Sequence, residues 1–293
     1  MFDIADYQEA STVAQALTLL AADRQAILIA GGTDVLIKIR HNQLSEARLI
    51  GIRHIDALRT IELTHDGYVV IGAAVTFSQL MTDDVIRRHV PVLAAAASDV
   101  GGSQIRRVAT IGGNICNGAT SADSAPSLFA LNAKLRLESP GRVRLAAISE
   151  FYRGPGKVNL EPGEILTAIM IAPCDYQGMG AHYIKYAMRK AMDIATLGCA
   201  AACRLGSGGE LTDVRLAFGV AAPTPVRCPQ AEAVATGSVF SEELAAEFAE
   251  AATAEISPRT SWRASKEFRL HLARHLSAEA LTKAYVQAGG KLS

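Results

Sequence analysis

Two short segments, ILIAGGTDV (residues 27–35) and ATIGGN (109–114), each set adjacent glycines beside a hydroxyl and a carboxylate or carboxamide. Glycine loses more conformational entropy on folding than any other residue, so a doublet marks a place where the backbone turns sharply or must come close to something. One such doublet after a strand is most simply a turn. Two with matching polar neighbours constrain the fold further, because successive main-chain N–H groups in such loops can converge on an anion as a nest. Gly31, Gly32, Thr33 and Asp34 are expected directly after a strand, and Gly112, Gly113 and Asn114 in a second loop of the same kind.

The remainder alternates helix and strand. Ser11 is placed to cap a helix through about Ala22, since Val13, Ala16, Leu17, Leu20 and Ala21 share a face. Strands are expected over AILIA (26–30), LIGI (49–52) and YVVIGAA (68–74), and a helix opens at Thr76. Pro91 starts PVLAAAASDV, which stops at Gly101 and Gly102. SAPSLFAL (124–131) reads as a helix, KLRLES and RVRLAAI as a strand pair about Pro140 and Gly141, and EILTAIMIA (164–172) as a strand. At PCDYQGMG, residues 173–180, the pattern changes to long strands around HYIKYAM, ATLGCAAACRL and VRLAFGV, followed by alanine-rich helices. Two units follow, about 1–176 and 177–293, with an α+β make-up.

Charge and cysteine usage exclude several classes. Lys plus Arg number 29 and so do Asp plus Glu, so no strong field draws the chain to nucleic acid or an anionic membrane. No uninterrupted apolar run approaches the roughly 20 residues of a spanning helix, and the start MFDIADYQEAST lacks a basic region before an apolar one, so a cytoplasmic location is expected. Cysteines 116, 174, 199, 203 and 228 are scattered, which fits neither a disulfide framework nor a cluster motif; Cys199 and Cys203 read as buried thiols. His271 and His275 have an i, i+4 spacing that can bind zinc, but with no third ligand a solvated pair is the simpler reading. No acid–base dyad or nucleophile elbow stands out, so no catalytic residue is assigned.

The usual phosphate signatures, GxGxxG after the first strand or a glycine loop ending in Lys-Ser or Lys-Thr, are missing. A ligand with a diphosphate still suits the two doublets, each charge-assisted hydrogen bond being worth about 1.5–3 kcal/mol. Nanomolar binding needs about 12 kcal/mol, so buried ring systems must supply the rest.

The ordered set AGGTD (30–34), QIRRVATIGGN (104–114), Asp123, GEIL (163–166), FGVAAPTPVR (218–227) and RASKEFR (263–269) resembles the FAD-binding subunits of molybdenum hydroxylases, nearest to those of bacterial xanthine dehydrogenases. The resemblance spans nearly the whole chain. It implies a vanillyl-alcohol-oxidase (PCMH) type FAD-binding fold over the first unit and a carboxy-terminal α+β domain like that of carbon monoxide dehydrogenase flavoproteins. It also implies a relay role: a molybdopterin-binding large subunit oxidises the substrate, an iron–sulfur small subunit carries the electrons, and FAD on this chain passes them to NAD.

Carried over position by position, the cofactor-binding residues are Leu28, Ile29, Ala30, Gly31, Gly32, Thr33, Asp34 and Val35 from the first segment. Thr110, Ile111, Gly112, Gly113 and Asn114 follow from the second, with Asp123 nearby; Leu166 and Lys185 match positions that approach the isoalloxazine ring. A lysine charge beside the pyrimidine end would favour the reduced anionic flavin, and Asp123 could equally cap the helix SAPSLFAL. No metal ligand is implied. Some relatives carry an aromatic residue shortly before the second segment where this chain has Val100. The alternative reading is a self-contained FAD-dependent oxidase, or the FAD subunit of a related hydroxylase with another substrate or acceptor.

Overall fold

A computed structural model describes residues 2–292. The chain begins with β1 (Ile4–Glu9), α1 (Val13–Ala22), β2 (Ile27–Ile29), α2 (Val35–Arg40) and β3 (Ala47–Gly51). The three strands form a parallel sheet in the order β1-β3-β2. Thr12, not Ser11, caps α1: its side chain accepts from the Gln15 N–H at 3.1 Å. The Ser11 N–H and hydroxyl instead donate to the Gln15 side chain. Both residues satisfy the helix start, but the extended backbone at Thr12 aims its hydroxyl at the free N–H.

The second part contains β4 (Ile61–Leu63), β5 (Val69–Gly72), the helices α3 (Phe77–Thr82), α4 (Asp84–His89), α5 (Pro91–Ser98), α6 (Ser103–Val108), α7 (Ile111–Cys116) and α8 (Ser124–Ala130), then β6 (Lys134–Ser139), β7 (Arg142–Ala147), β8 (Tyr152–Gly154), β9 (Lys157–Val158) and β10 (Ile165–Ile171). Five of these strands make an antiparallel sheet in the order β4-β5-β10-β6-β7. The expected cap at Thr76 is present as a reciprocal box with Gln79, Pro91 occupies the start of α5, and Pro140 and Gly141 turn β6 into β7. The segment TIGGN, expected as a loop, is the first turn of α7: Thr110 is its N-cap and accepts from the Gly113 N–H at 3.2 Å.

The third part is β11 (Met179–Tyr186), β12 (Leu197–Leu205), β13 (Leu211–Gly219) and β14 (Val226–Arg227) in sequential antiparallel order, then α9 (Pro229–Ala235), α10 (Glu242–Glu255) and α11 (Lys266–Gln287). The run GCAAAC in β12 is apolar at every position because both faces of this sheet are covered. Ala200 and Ala202 pack into the core of the second part, whereas Cys199, Ala201 and Cys203 pack under α10 and α11. Burial pushes the Cys203 thiol up to about 12. Helix α11 lies on its own sheet, burying Leu272, Leu276 and Leu281; His271 and His275, on its outer side, are exposed.

Helix α8, buried at all seven positions, joins the second and third parts. Arg215 and Arg227 from the third part donate to the Ala130 and Phe129 carbonyls at its end, at 3.2 and 3.1 Å, where a cation meets the negative end of the helix. Arg215 is 6% exposed and also pairs with Asp175 at 2.9 Å and Asp213 at 2.7 Å. Among the described residues no helix is long and apolar enough to cross a membrane.

Candidate functional site

A cavity of about 880 Å³ lies between the first two parts of the chain, near the top of the roughly 300–1,000 Å³ range of small-molecule sites. Its floor is the first glycine segment. Leu28, Ala30, Gly31, Gly32, Thr33, Asp34 and Val35 all face it, joined by Thr110, Gly112, Gly113 and Asn114 from the start of α7 and by Leu166 from β10. Ile29 and Ile111 do not; Ile29 packs with Leu36 under the small sheet, and Ile111 is fully buried in the main core. Val100 lines the wall, as does Phe77.

The two segments meet through backbone. A Cβ on Gly31 would collide with the Val108 carbonyl oxygen and sit 2.9 Å from the Ala109 Cα, and one on Gly112 would sit 2.6 Å from the Ala73 oxygen. Gly32 has φ +73, a left-handed conformation that favours glycine. Gly113 differs: a Cβ there meets only the Thr110 Oγ1, at 2.9 Å, and otherwise projects into open space.

Only the first segment is a nest. Among the described residues, the N–H groups of Gly32, Thr33 and Asp34 donate to no other group of the chain. In the second segment they are already used: Ile111 N–H donates to Val75 O at 3.0 Å, Gly112 N–H to Ala73 O at 2.9 Å, and Asn114 N–H to Thr110 O at 2.9 Å. The expected second nest is therefore a capped helix turn, which contributes a close surface and side chains. Asn114 itself accepts from the Ser124 hydroxyl at 2.6 Å, tying α7 to α8.

Asp123 and Lys185 do not line the cavity. Asp123 stands at the start of α8 but makes no side-chain cap. Its carboxylate instead accepts from Tyr183 at 3.0 Å and from Lys185 Nζ at 2.9 Å, while Lys185 also donates to Asp99 O at 2.8 Å. Both side chains are under a tenth exposed, so the lysine charge is balanced in a buried pair one layer behind Val100. This weakens the upward pull on a flavin potential that an uncompensated lysine would exert.

Burial raises the Asp123 carboxyl to about 6, against the opposing attraction of Lys185 and Tyr183. The folded chain therefore holds a proton between about pH 4 and pH 6 that the unfolded chain has released, and this group's contribution to stability falls as pH rises through that window. A shift of about 2 units corresponds to about 3 kcal/mol. In urea titrations at pH 4 and pH 7, the stability of Asp123→Asn relative to the wild type should move in the variant's favour by about that amount; an unchanged difference would show that Asp123 does not titrate there.

Lys38 and Glu164 also line the cavity, outside the assigned set. Lys38, one turn beyond Asp34 on α2, faces the cavity and donates to Asn117 Oδ1 at 2.9 Å; the i, i+4 relation to Asp34 is the signal that could have found it. Glu164 at the far end is 3% exposed and is gripped by both Arg144 nitrogens at 2.7 and 2.6 Å, which hold it below the usual carboxylate range. Cys116, the one thiol on the wall, is pushed up to about 12 by burial and is no nucleophile at neutral pH.

Residues 2–173 match the family model for the FAD binding domain in molybdopterin dehydrogenase, and residues 182–284 that for the CO dehydrogenase flavoprotein C-terminal domain. The xanthine dehydrogenase FAD-binding subunit of Escherichia coli O157:H7 is 50% identical over 292 residues, the full length of both chains. Among solved structures, carbon monoxide dehydrogenase of Hydrogenophaga pseudoflava, in a form lacking the Mo-pyranopterin moiety, matches with a TM-score of 0.92 and 29% identity, covering 98% of this chain and 99% of that one. Quinoline 2-oxidoreductase of Pseudomonas putida 86 matches with a TM-score of 0.92, 26% identity and the same coverage. The chain thus belongs to the family of FAD-binding subunits of molybdenum hydroxylases, and its cofactor is FAD.

Proposed function

We propose that this chain is the flavin relay of a xanthine dehydrogenase-like molybdenum hydroxylase, receiving electrons from an iron–sulfur small subunit and delivering them to NAD. A molybdopterin-binding large subunit oxidises the substrate. The observation that carries this reading is the cavity itself: an anion-binding nest set among apolar walls, whose thiol, Cys116, is held protonated by burial. FAD supplies the two-electron chemistry when bound.

The chain's own part is to hold and shape. The free N–H groups of Gly32, Thr33 and Asp34 and the hydroxyls of Thr33 and Thr110 are assigned to the diphosphate and adjoining groups, where charge-assisted bonds are the strong ones. Leu28, Ala30, Val35 and Leu166 exclude water from the rings. Asp123 and Lys185 act through the wall, fixing Asp99 and with it Val100. A cytoplasmic location belongs to the same reading, as NAD is met there.

The purified chain loaded with FAD should pass electrons from NADH to an artificial dye and should leave xanthine and hypoxanthine untouched. Adding the molybdopterin and iron–sulfur subunits should bring substrate-driven NAD reduction. Turnover of an organic substrate by this polypeptide alone would instead establish a self-contained oxidase.

A further inference from the structure

Three of the carboxylates that line the flavin cavity are balanced from outside it. Asp23, Glu161 and Glu164 face the cavity and pair with Arg48 at 3.1 Å, Arg142 at 3.1 Å and Arg144 at 2.6 Å, and none of these arginines lines it. Lys38 is the reverse case. Half-buried on α2, it lines the wall, and among the described residues it makes no ion pair, not even with Asp34 one turn before it. Its side-chain partner is the neutral amide of Asn117, whose Oδ1 accepts from Nζ at 2.9 Å. Arg24, the other basic residue of the wall, is exposed.

The backbone carries this lysine straight on from the nest. Leu36 N–H donates to Gly32 O and Lys38 N–H to Asp34 O, both at 3.0 Å, so one helical turn separates the free N–H groups of Gly32, Thr33 and Asp34 from Lys38. Side chains on a helix lean toward its N-terminus, which runs the lysine stem back over that turn. Asn117 fixes its far end: it closes α7, whose first turn holds Gly112 and Gly113, and it lines the cavity itself. The ammonium thus bridges the two glycine segments. It has three donors, of which Asn117 takes one, and a carboxamide satisfies a hydrogen bond without balancing a partly desolvated charge.

We propose that Lys38 is the counter-charge of the cofactor's diphosphate, its Nζ donating to a phosphate oxygen while Asn117 holds it in place. The proposal rests on the assignment of the nest to that group. Nest and lysine divide the work. The N–H groups of Gly32, Thr33 and Asp34 are uncharged and directional, so they fix where the phosphate oxygens lie. Lys38 brings a half-buried positive charge to the wall of a chain whose net charge is zero, and charge-assisted bonds of this kind are about twice as strong as neutral ones.

The test measures binding of FAD and of ADP to the flavin-stripped full chain by calorimetry at low and high ionic strength, comparing wild type, Lys38→Met and Lys38→Arg. Methionine keeps most of the aliphatic stem, so the thermal midpoint of the stripped chain should stay close to that of the wild type. In Lys38→Met both ligands should bind about 30-fold more weakly, about 2 kcal/mol, and lose most of the salt dependence that the wild type shows. Lys38→Arg keeps a charge of similar reach and should restore affinity to within about 3-fold. Unchanged affinity for both ligands in Lys38→Met overturns the assignment. So does a loss that Lys38→Arg fails to restore while the thermal midpoint falls in both variants, which marks the lysine as a tie to α7 alone. Weaker FAD binding with ADP binding and salt dependence unchanged overturns it too, since the lysine then acts on the flavin ring. A wild-type chain that binds FAD but not ADP overturns the assignment of the nest as well.

Discussion

Gly113→Val should yield a folded protein that purifies without flavin. A Cβ at this position meets a single protein atom, Thr110 Oγ1 at 2.9 Å, and the rest of the new side chain enters the cavity. The N–H groups of its turn are satisfied within the chain, so the turn survives while the ligand's space is taken. The expected loss is about 100-fold in FAD affinity, about 2.7 kcal/mol, read from the flavin-to-protein absorbance ratio and by calorimetry, with the thermal midpoint close to the wild type. Gly31→Ala provides the contrast: its Cβ collides with backbone at Val108, so stability and flavin should be lost together. Full occupancy in Gly113→Val would reduce the second doublet to a plain helix turn.

The largest effect on stability is expected at Arg215→Ala. This guanidinium is buried, pairs with Asp175 and Asp213, and binds the last turn of α8 through Ala130 O. Removing one partner of a buried charge network leaves carboxylates without compensation, at about 3–5 kcal/mol. Asp175 keeps the Asn132 amide at 2.9 Å and Asp213 keeps Arg204 at 3.7 Å, which places the expectation toward the lower end of that range. Urea unfolding at pH 7 measures it. A change below about 1 kcal/mol would mean that solvent replaces the guanidinium and that the network does not hold the second and third parts together.

Local chemistry made much of this molecule legible. The reciprocal Thr76–Gln79 cap, Pro91 at a helix start, the Pro140-Gly141 turn and the apolar run of β12 all follow from residues close in sequence. What sequence reasoning missed was set by distant partners. TIGGN looks like a loop because two glycines disfavour a helix, yet Val75 and Ala73 accept its first N–H groups and Thr110 caps it. Asp123 has the composition and position of a cap, but Tyr183 and Lys185, about 60 residues on, claim its oxygens. The assigned residues divide in the same way: those on the first glycine segment, Ile29 apart, reach the cavity through local geometry, whereas Lys185 matches a motif position and is turned instead to a buried carboxylate. Lys38 went unnoticed because it belongs to no motif, only to a helix face.

The contact of Gly31 with the backbone at Val108 and Ala109 means that the floor of the cavity is cut from main chain. Its level is fixed by peptide geometry rather than by side-chain size, so an engineer wishing to admit a bulkier or slimmer dinucleotide could recolour the walls at Leu28, Val35, Val100 or Leu166 and leave the floor unchanged. Altering the floor would require moving one peptide plane against another. The cofactor class is therefore hard-wired at two glycines, while its electronic surroundings remain open to adjustment by single substitutions.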